Sequence, residues 1–155
     1  MPDLTTIARA REDAREGKSP STQAGEFVRE EIDHIREGKH GARSAKQAIA
    51  IGLSKARRAG VKLPPPDASK TSASTRKKAL QDSARGRIRK KPSPKRSRAA
   101  KSALQQEGRA AASPLALSRH AHQSASARGK KSRVAAAKKA AKTRAGTTAA
   151  RSKRK

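Results

Sequence analysis

The chain has no cysteine, tryptophan or tyrosine, and its whole aromatic content is one phenylalanine, Phe27. Without cysteine there are no disulfides and no thiolate metal sites, which fits a reducing compartment. A single aromatic side chain leaves almost nothing on which unpaired bases can stack, which counts against the usual single-strand RNA modules. No apolar run approaches the roughly 20 residues that span a bilayer. The N-terminal stretch MPDLTTIARARED lacks the apolar centre of a secretory signal. These absences predict a cytoplasmic protein, with access to the nucleoid in a bacterial cell. Acid is scarce as well: 12 Asp/Glu stand against 40 Lys/Arg, a net charge of +28. An excess of that size points to a polyanionic partner.

The charge is unevenly spread. Residues 1–66 carry 13 Lys/Arg and 9 Asp/Glu, a net +4, whereas residues 67–155 carry 27 and 3, a net +24. Large apolar residues divide the other way, twelve before Asp67 and six after it. The expected architecture is therefore all-α in two parts. Residues 1–66 form a small helical domain, and residues 67–155 form a Lys/Arg/Ala/Ser-rich tail too poor in apolar surface to offset its chain entropy, hence disordered when free. The small core is marginal by this reading, to be completed by a homodimer or by nucleic acid.

What is present is organised around Ser44–Gly60, SAKQAIAIGLSKARRAG. Ser44 is placed to cap a helix, with Gln47 three residues on to complete a capping box. Gly60 supplies a left-handed stop, Val61 returns toward Ala56, and Pro64-Pro65-Pro66 prevent a restart. At 100° per residue Ala45, Ala48, Ile49, Gly52, Leu53, Ala56 and Ala59 share one face. Lys46, Gln47, Ala50, Ser54, Arg57 and Arg58 lie opposite, a small, polar and basic face suited to a phosphate backbone. Ile51 falls outside the apolar stripe, beside Arg58.

The stretch KQAIAIGLSKARRAG, Lys46 to Gly60, resembles the core of a family of short basic bacterial domains of unassigned function, often labelled DNA-binding. Ile35-Arg36-Glu37-Gly38-Lys39 is similar to that family's lead-in, so the resemblance covers roughly Phe27 to Leu63. It marks the family, which has no settled mechanism to carry over, and leaves the tail undescribed.

Two further helices precede this one. Asp3 is placed to cap a helix reaching about Glu16, with Gly17 as its stop and Leu4, Ile7, Ala8 and Ala14 as its apolar stripe. Ser19-Pro20 opens the next, which runs to about Glu37 and stops at Gly38. Ala24, Val28, Ile32 and Ile35 form its buried face, with Phe27 on the flank. Its other side aligns Glu26, Glu30, Asp33 and Glu37 as an acidic stripe, either a solvated face softened by Arg29 and Arg36 or a docking surface for the basic tail. The connection Gly38-Lys39-His40-Gly41-Ala42-Arg43 is either an ordinary interhelical loop or a site where backbone N–H groups bind a phosphate. It is longer than the usual turn of a helix-turn-helix.

In the tail, Thr75–Lys91 spaces Leu80, Ala84 and Ile88 at steps of four, a transient helix interrupted by Gly86. Ser93-Pro94-Lys95-Arg96 resembles the Ser-Pro-basic-basic turns of linker-histone tails, which implies minor-groove contact. The last segment, RGKKSRVAAAKKAAKTR, resembles the Ala/Lys-rich tails of histone-like bacterial proteins. Alanine favours helix, but Lys138 and Lys142 repel at i,i+4. Phosphates remove that repulsion, so this segment is expected to fold on DNA.

No catalytic constellation appears. His34, His40, His120 and His122 have no cysteine partners, and no nucleotide-binding glycine loop is present. A metal held by His120-x-His122 is less plausible than a solvated pair. The expectation is no enzyme, no cofactor, no metal and no small-molecule substrate. It is a nucleoid-associated or histone-like protein that binds duplex DNA with little sequence preference. The phosphate contacts fall to Lys39, Arg43, Lys46, Arg57, Arg58 and Lys62 around the third helix. In the tail they fall to Arg89, Lys90, Lys91, Lys95, Arg96, Lys130, Lys131, Lys138, Lys139 and Lys142. The alternatives are an RNA- or ribosome-associated basic protein and a protein-interaction adaptor or membrane-surface polycation.

Overall fold

The computed structural model describes residues 2–88 and 93–152, the side chains of Lys70 and of residues 145–152 aside. Among the described residues the regular structure is all helical: α1 (Leu4–Arg15), α2 (Pro20–Arg36), α3 (Ala45–Arg58), α4 (Ala73–Ile88), α5 (Pro94–Gln105), α6 (Pro114–Ala127) and α7 (Gly129–Ser152). Short 3-10 turns cover Ala68–Lys70 and Ala110–Ala112. Residues up to Leu117 form one compact unit and those from Ser118 a second, the division falling within α6.

The first three helices follow the local signals. Pro20 opens α2, and Ser19 Oγ accepts from the Thr22 N–H at 3.4 Å. Gly17, Gly38 and Gly60 end α1, α2 and α3 at φ +70°, +78° and +98°, where a side chain would be strained. Ser44 Oγ accepts from the Gln47 N–H at 3.2 Å. The return bond goes one residue further back than a capping box places it, since Gln47 Oε1 accepts from the Arg43 N–H at 2.9 Å. After Gly60 the Val61 N–H donates to the Ala56 carbonyl at 3.1 Å, and Val61 joins the cluster around Ala56, as expected.

α2 is the organising helix, contacted by α1, by α3 and by the turn at Ala110–Ala112. One core cluster joins Phe27 and Ala24 of α2 to Ala10 of α1 and Ala56 of α3, with Leu53, Val61 and Leu63 at its edge. The other joins Ile32, Ile35 and Ala48 to Ala42, Ala111 and Ala112, with Leu117 against it. α2 and α3 cross very closely at Gly52. A Cβ there would lie 2.7 Å from Val28 Cα and 3.0 Å from the Phe27 carbonyl oxygen, so any side chain would push the helices apart.

Three expectations need correction. The buried line of α1 is Thr6 and Ala10 with Ile7 beside it, while Leu4 is 84% exposed, because α2 meets the helix one step round from its most apolar stripe. The chain after Pro66 is not a featureless tail: α4 to α7 occupy it, and the first compact unit continues to Leu117. The large apolar side chains that packing seemed to require are replaced by small ones. Ala79, Ala111 and Ala112 are buried, and backbone meets backbone where Gly86 of α4 lies against the Arg57 carbonyl and Gly41 against the Glu107 carbonyl. Gly86 accordingly does not interrupt α4 but lets it approach α3. Beyond Ser118 the sequence is rich in alanine, which intrinsically favours helix.

Candidate functional site

The cationic residues expected to meet phosphate lie in unlike settings. Lys46 and Lys62 are exposed. Lys39 is exposed and its Nζ lies 2.8 Å from Glu37 Oε2. That bond raises the Lys39 pKa and lowers that of Glu37. Arg43 is exposed and reaches Glu107 Oε1 at 3.3 Å. Arg58 is exposed, its Nε donating to the Ser54 carbonyl at 3.2 Å and lying 4.0 Å from Asp82 Oδ1. Arg57 is a correction. Only 8% exposed, it donates from Nη2 to the Pro64 carbonyl at 3.1 Å. Desolvation lowers its pKa, with Asp82 opposing that shift. α4 packs on the side of α3 expected to face DNA, and Arg57 serves the turn into the prolines instead.

The loop after α2 offers no free N–H cradle for phosphate. Lys39 N–H donates to the His34 carbonyl, Gly41 N–H to Leu104, Ala42 N–H to Gly108 and Arg43 N–H to Gln47 Oε1. It is a structural loop that binds the turn after α5.

Arg89, Lys90 and Lys91 fall outside the described residues. Lys95 and Arg96 are exposed in the first turn of α5. Lys130, Lys131, Lys138, Lys139 and Lys142 are exposed along α7. Residues 118–155 hold thirteen Lys/Arg and no Asp or Glu, so no carboxylate side chain of this unit can neutralise them. Lys131, Lys138 and Lys142 align to within about 40° at 100° per residue, with Lys130 and Lys139 flanking them. His120 and His122 both lie on α6, about 200° apart by the same geometry, so they cannot chelate one ion together. His120 Nε2 is instead 3.4 Å from Ser124 Oγ.

The acidic stripe of α2 is not a continuous surface, so neither a solvated face nor a docking surface takes in all four of its acids. Glu26 lies against Arg9 at 3.0 Å and Arg29 at 3.4 Å with its side chain only 13% exposed. Glu30 is buried, accepting from the Asp3 N–H at 3.1 Å and from Lys55 Nζ at 3.1 Å. Only Asp33, beside Arg36 at 3.7 Å, and Glu37, beside Lys39, remain about half exposed. α1 covers one flank of α2 and α3 the other, so the fully buried line runs Ala24, Phe27, Glu31, Ile35, with a glutamate at its centre.

A polar cluster absent from the sequence reading forms around that glutamate. Glu31 is wholly buried, with Lys55 Nζ 2.7 Å from Oε2 and His40 Nε2 3.4 Å from Oε1. The Lys55 contact lacks hydrogen-bond geometry, and both carboxylate oxygens have no hydrogen-bond partner. His34 places Nδ1 3.9 Å from Glu30 Oε1 and Nε2 3.4 Å from Asp3 Oδ2. The two imidazoles meet edge to face with centroids 6.2 Å apart. The sequence signal was Glu30-Glu31-x-x-His34, which places two carboxylates one turn from an imidazole, with Lys55 supplied by α3.

None of the helices among the described residues is long and apolar enough to cross a membrane. No curated protein and no solved structure matches the chain. The sequence model of a family of unknown function (DUF6496) matches residues 18–66, the span of α2, its loop, α3 and the proline run, and its description gives no DNA-binding label. Gly52 and the Glu31, His34, His40 and Lys55 cluster of this chain fall within the matched span.

Proposed function

We propose that the protein binds duplex nucleic acid, DNA in the first place, through its phosphate backbone and with little sequence preference, in the manner of a nucleoid-associated protein. One observation carries this reading: a unit with thirteen Lys/Arg and no acid, whose described lysines project from α7 into solvent. Lys131 to Lys142 span about 16 Å at 1.5 Å per residue, a length along which duplex DNA presents a phosphate charge every ~1.7 Å. Phosphate also relieves the i,i+4 repulsion of Lys138 and Lys142. Phe27, the one aromatic ring, is 1% exposed in the core and unavailable for stacking, which favours backbone contact over single-strand recognition. Lys95 and Arg96 on α5 and Lys46 and Lys62 around α3 are secondary contacts in this reading, and Arg57 is none.

The test is the salt dependence of binding to duplex DNA, structured RNA and anionic vesicles. Replacing Lys130, Lys131, Lys138, Lys139 and Lys142 by Gln should reduce the slope of log K against log salt for duplex DNA by roughly 0.9 per lost contact. An unchanged slope excludes α7 as the contact surface. Tighter binding to vesicles than to duplex makes the protein a membrane-surface polycation instead.

A further inference from the structure

We infer that Glu31, His34 and His40 hold a divalent transition-metal ion of the zinc type. One ligand atom from each residue lies within 4.8 Å of the others, so a small closing movement of the side chains brings all three onto one ion. α2 contributes Glu31 and His34, three residues apart on one side of the helix, and the loop beyond Gly38 swings His40 back to face them. His40 Nδ1 lies 3.2 Å from the Gly41 carbonyl oxygen. Donation of the Nδ1–H to that carbonyl leaves a lone pair on Nε2, the arrangement by which a second-shell carbonyl orients a metal-binding imidazole. In the neutral ring that lone pair faces Glu31 Oε1 across 3.4 Å, an acceptor against an acceptor. A cation between them turns the repulsion into two bonds.

Two further observations select this triad. Glu31 has no exposure and no hydrogen bond to either oxygen, so its Oε1 remains unspent, whereas Glu30 is satisfied by the Asp3 N–H and by Lys55. The charge balance agrees. Glu30 and Glu31 share the ammonium of Lys55, which leaves this buried pair one negative charge in excess, a surplus that favours a cation. Lys55 sits on Oε2 and leaves the Oε1 side to the ion. Two imidazoles and one carboxylate suit zinc and its neighbours in the first transition row better than calcium or magnesium, which favour all-oxygen sites. The His34 and His40 side chains are 13% and 16% exposed, which provides an entry path. The ion would tie the loop after α2 to the centre of the helix, with a structural role.

Titration of the full chain with zinc chloride at pH 7.5, by calorimetry, tests this. The expected result is one ion per chain, with affinity lowered at least about tenfold in Glu31→Gln or His40→Asn, the smallest loss expected of a ligand when a second-shell partner already costs that much. The His120→Asn, His122→Asn double variant should bind like the parent. No uptake by the parent overturns the inference, as does uptake that survives Glu31→Gln and His40→Asn or vanishes in the double variant. Should the ligand variants fail to fold, paramagnetic NMR of the parent with cobalt(II) decides: ring signals of His34 and His40 should shift and those of His120 and His122 stay. The reverse pattern, or no shift, rejects the site.

Discussion

α2 carries four acids in 17 residues, and the fold turns two of them, Glu30 and Glu31, into its interior against Lys55. α7, at 24 residues, carries no acid, and its described lysines stand in solvent in a unit without Asp or Glu. The difference teaches that charge alone does not assign a surface. α2 is held by tertiary packing, and its position between α1 and α3 decides which of its charges are available to a partner. α7 is rich in alanine, which favours helix without large apolar contacts, and its Lys130, Lys131, Lys138, Lys139 and Lys142 are exposed. Tail acids repeat the lesson in reverse. Glu107 and Asp82 lie beside Arg43 and Arg58, so the segment after the prolines docks through small residues and its few carboxylates rather than through its lysines.

The largest test of that contrast is Phe27→Ala. Phe27 is the largest fully buried side chain, and its loss should cost about 3–5 kcal/mol. Residue-resolved amide exchange should show protection collapsing through α1, α2 and α3 and unchanged in α7. Joint loss in α7 would mean that its helix depends on the core after all.

Arg57 and Arg58 sharpen the comparison within one turn. Arg57→Ala removes a charged hydrogen bond to the Pro64 carbonyl and a buried side chain, so denaturant unfolding should show a loss of about 1–3 kcal/mol. Its duplex affinity should be unchanged wherever it is folded. Arg58→Ala should alter stability by no more than about 0.5 kcal/mol, as exposed positions do. Equal stability with equal loss of affinity in the two variants would restore the third helix as a binding face.

The smallest effect belongs to the exposed Glu37–Lys39 pair. The lowered pKa of Glu37 contributes stability above the usual carboxylate range, lost as pH falls through it; the raised pKa of Lys39 contributes stability below the usual 10.5, lost as pH rises beyond it. The difference in melting temperature between the parent and Glu37→Gln should therefore be small, present at neutral pH, and gone at both extremes. A difference that grows in acid would place Glu37 in some other interaction.

Much of the three-helix part was legible because its signals are local. Gly17, Gly38 and Gly60 stop helices wherever they occur in this context, and Ser19 and Ser44 cap them. The identity of the buried faces was less so. Periodicity assigned α2 the line Ala24, Val28, Ile32, Ile35, yet Glu31 stands at the centre of the buried side because helices pack on both its flanks and Lys55 arrives from 24 residues away. Arg57 resembles polar surface in the sequence for a related reason: α4, which packs against that side, has only Ala79 buried and gives little hydrophobic signal. The helices after Pro66 were hidden by the same poverty of large apolar residues. Alanine and glycine bury without announcing it, and Gly41, Gly52 and Gly86 mark close approaches that no periodicity reports.

The central claim, that the acid-free unit rather than the packed helices meets the polyanion, is tested most directly by a lysine-labelling footprint of the full chain with and without duplex DNA. Lys130, Lys131, Lys138, Lys139 and Lys142 should lose reactivity on binding. Lys55, only 15% exposed at its side chain and paired with Glu30 and Glu31, should be slow in both states. Protection confined to Lys39, Lys46 and Lys62, with the α7 lysines as reactive as in the free chain, would contradict the account.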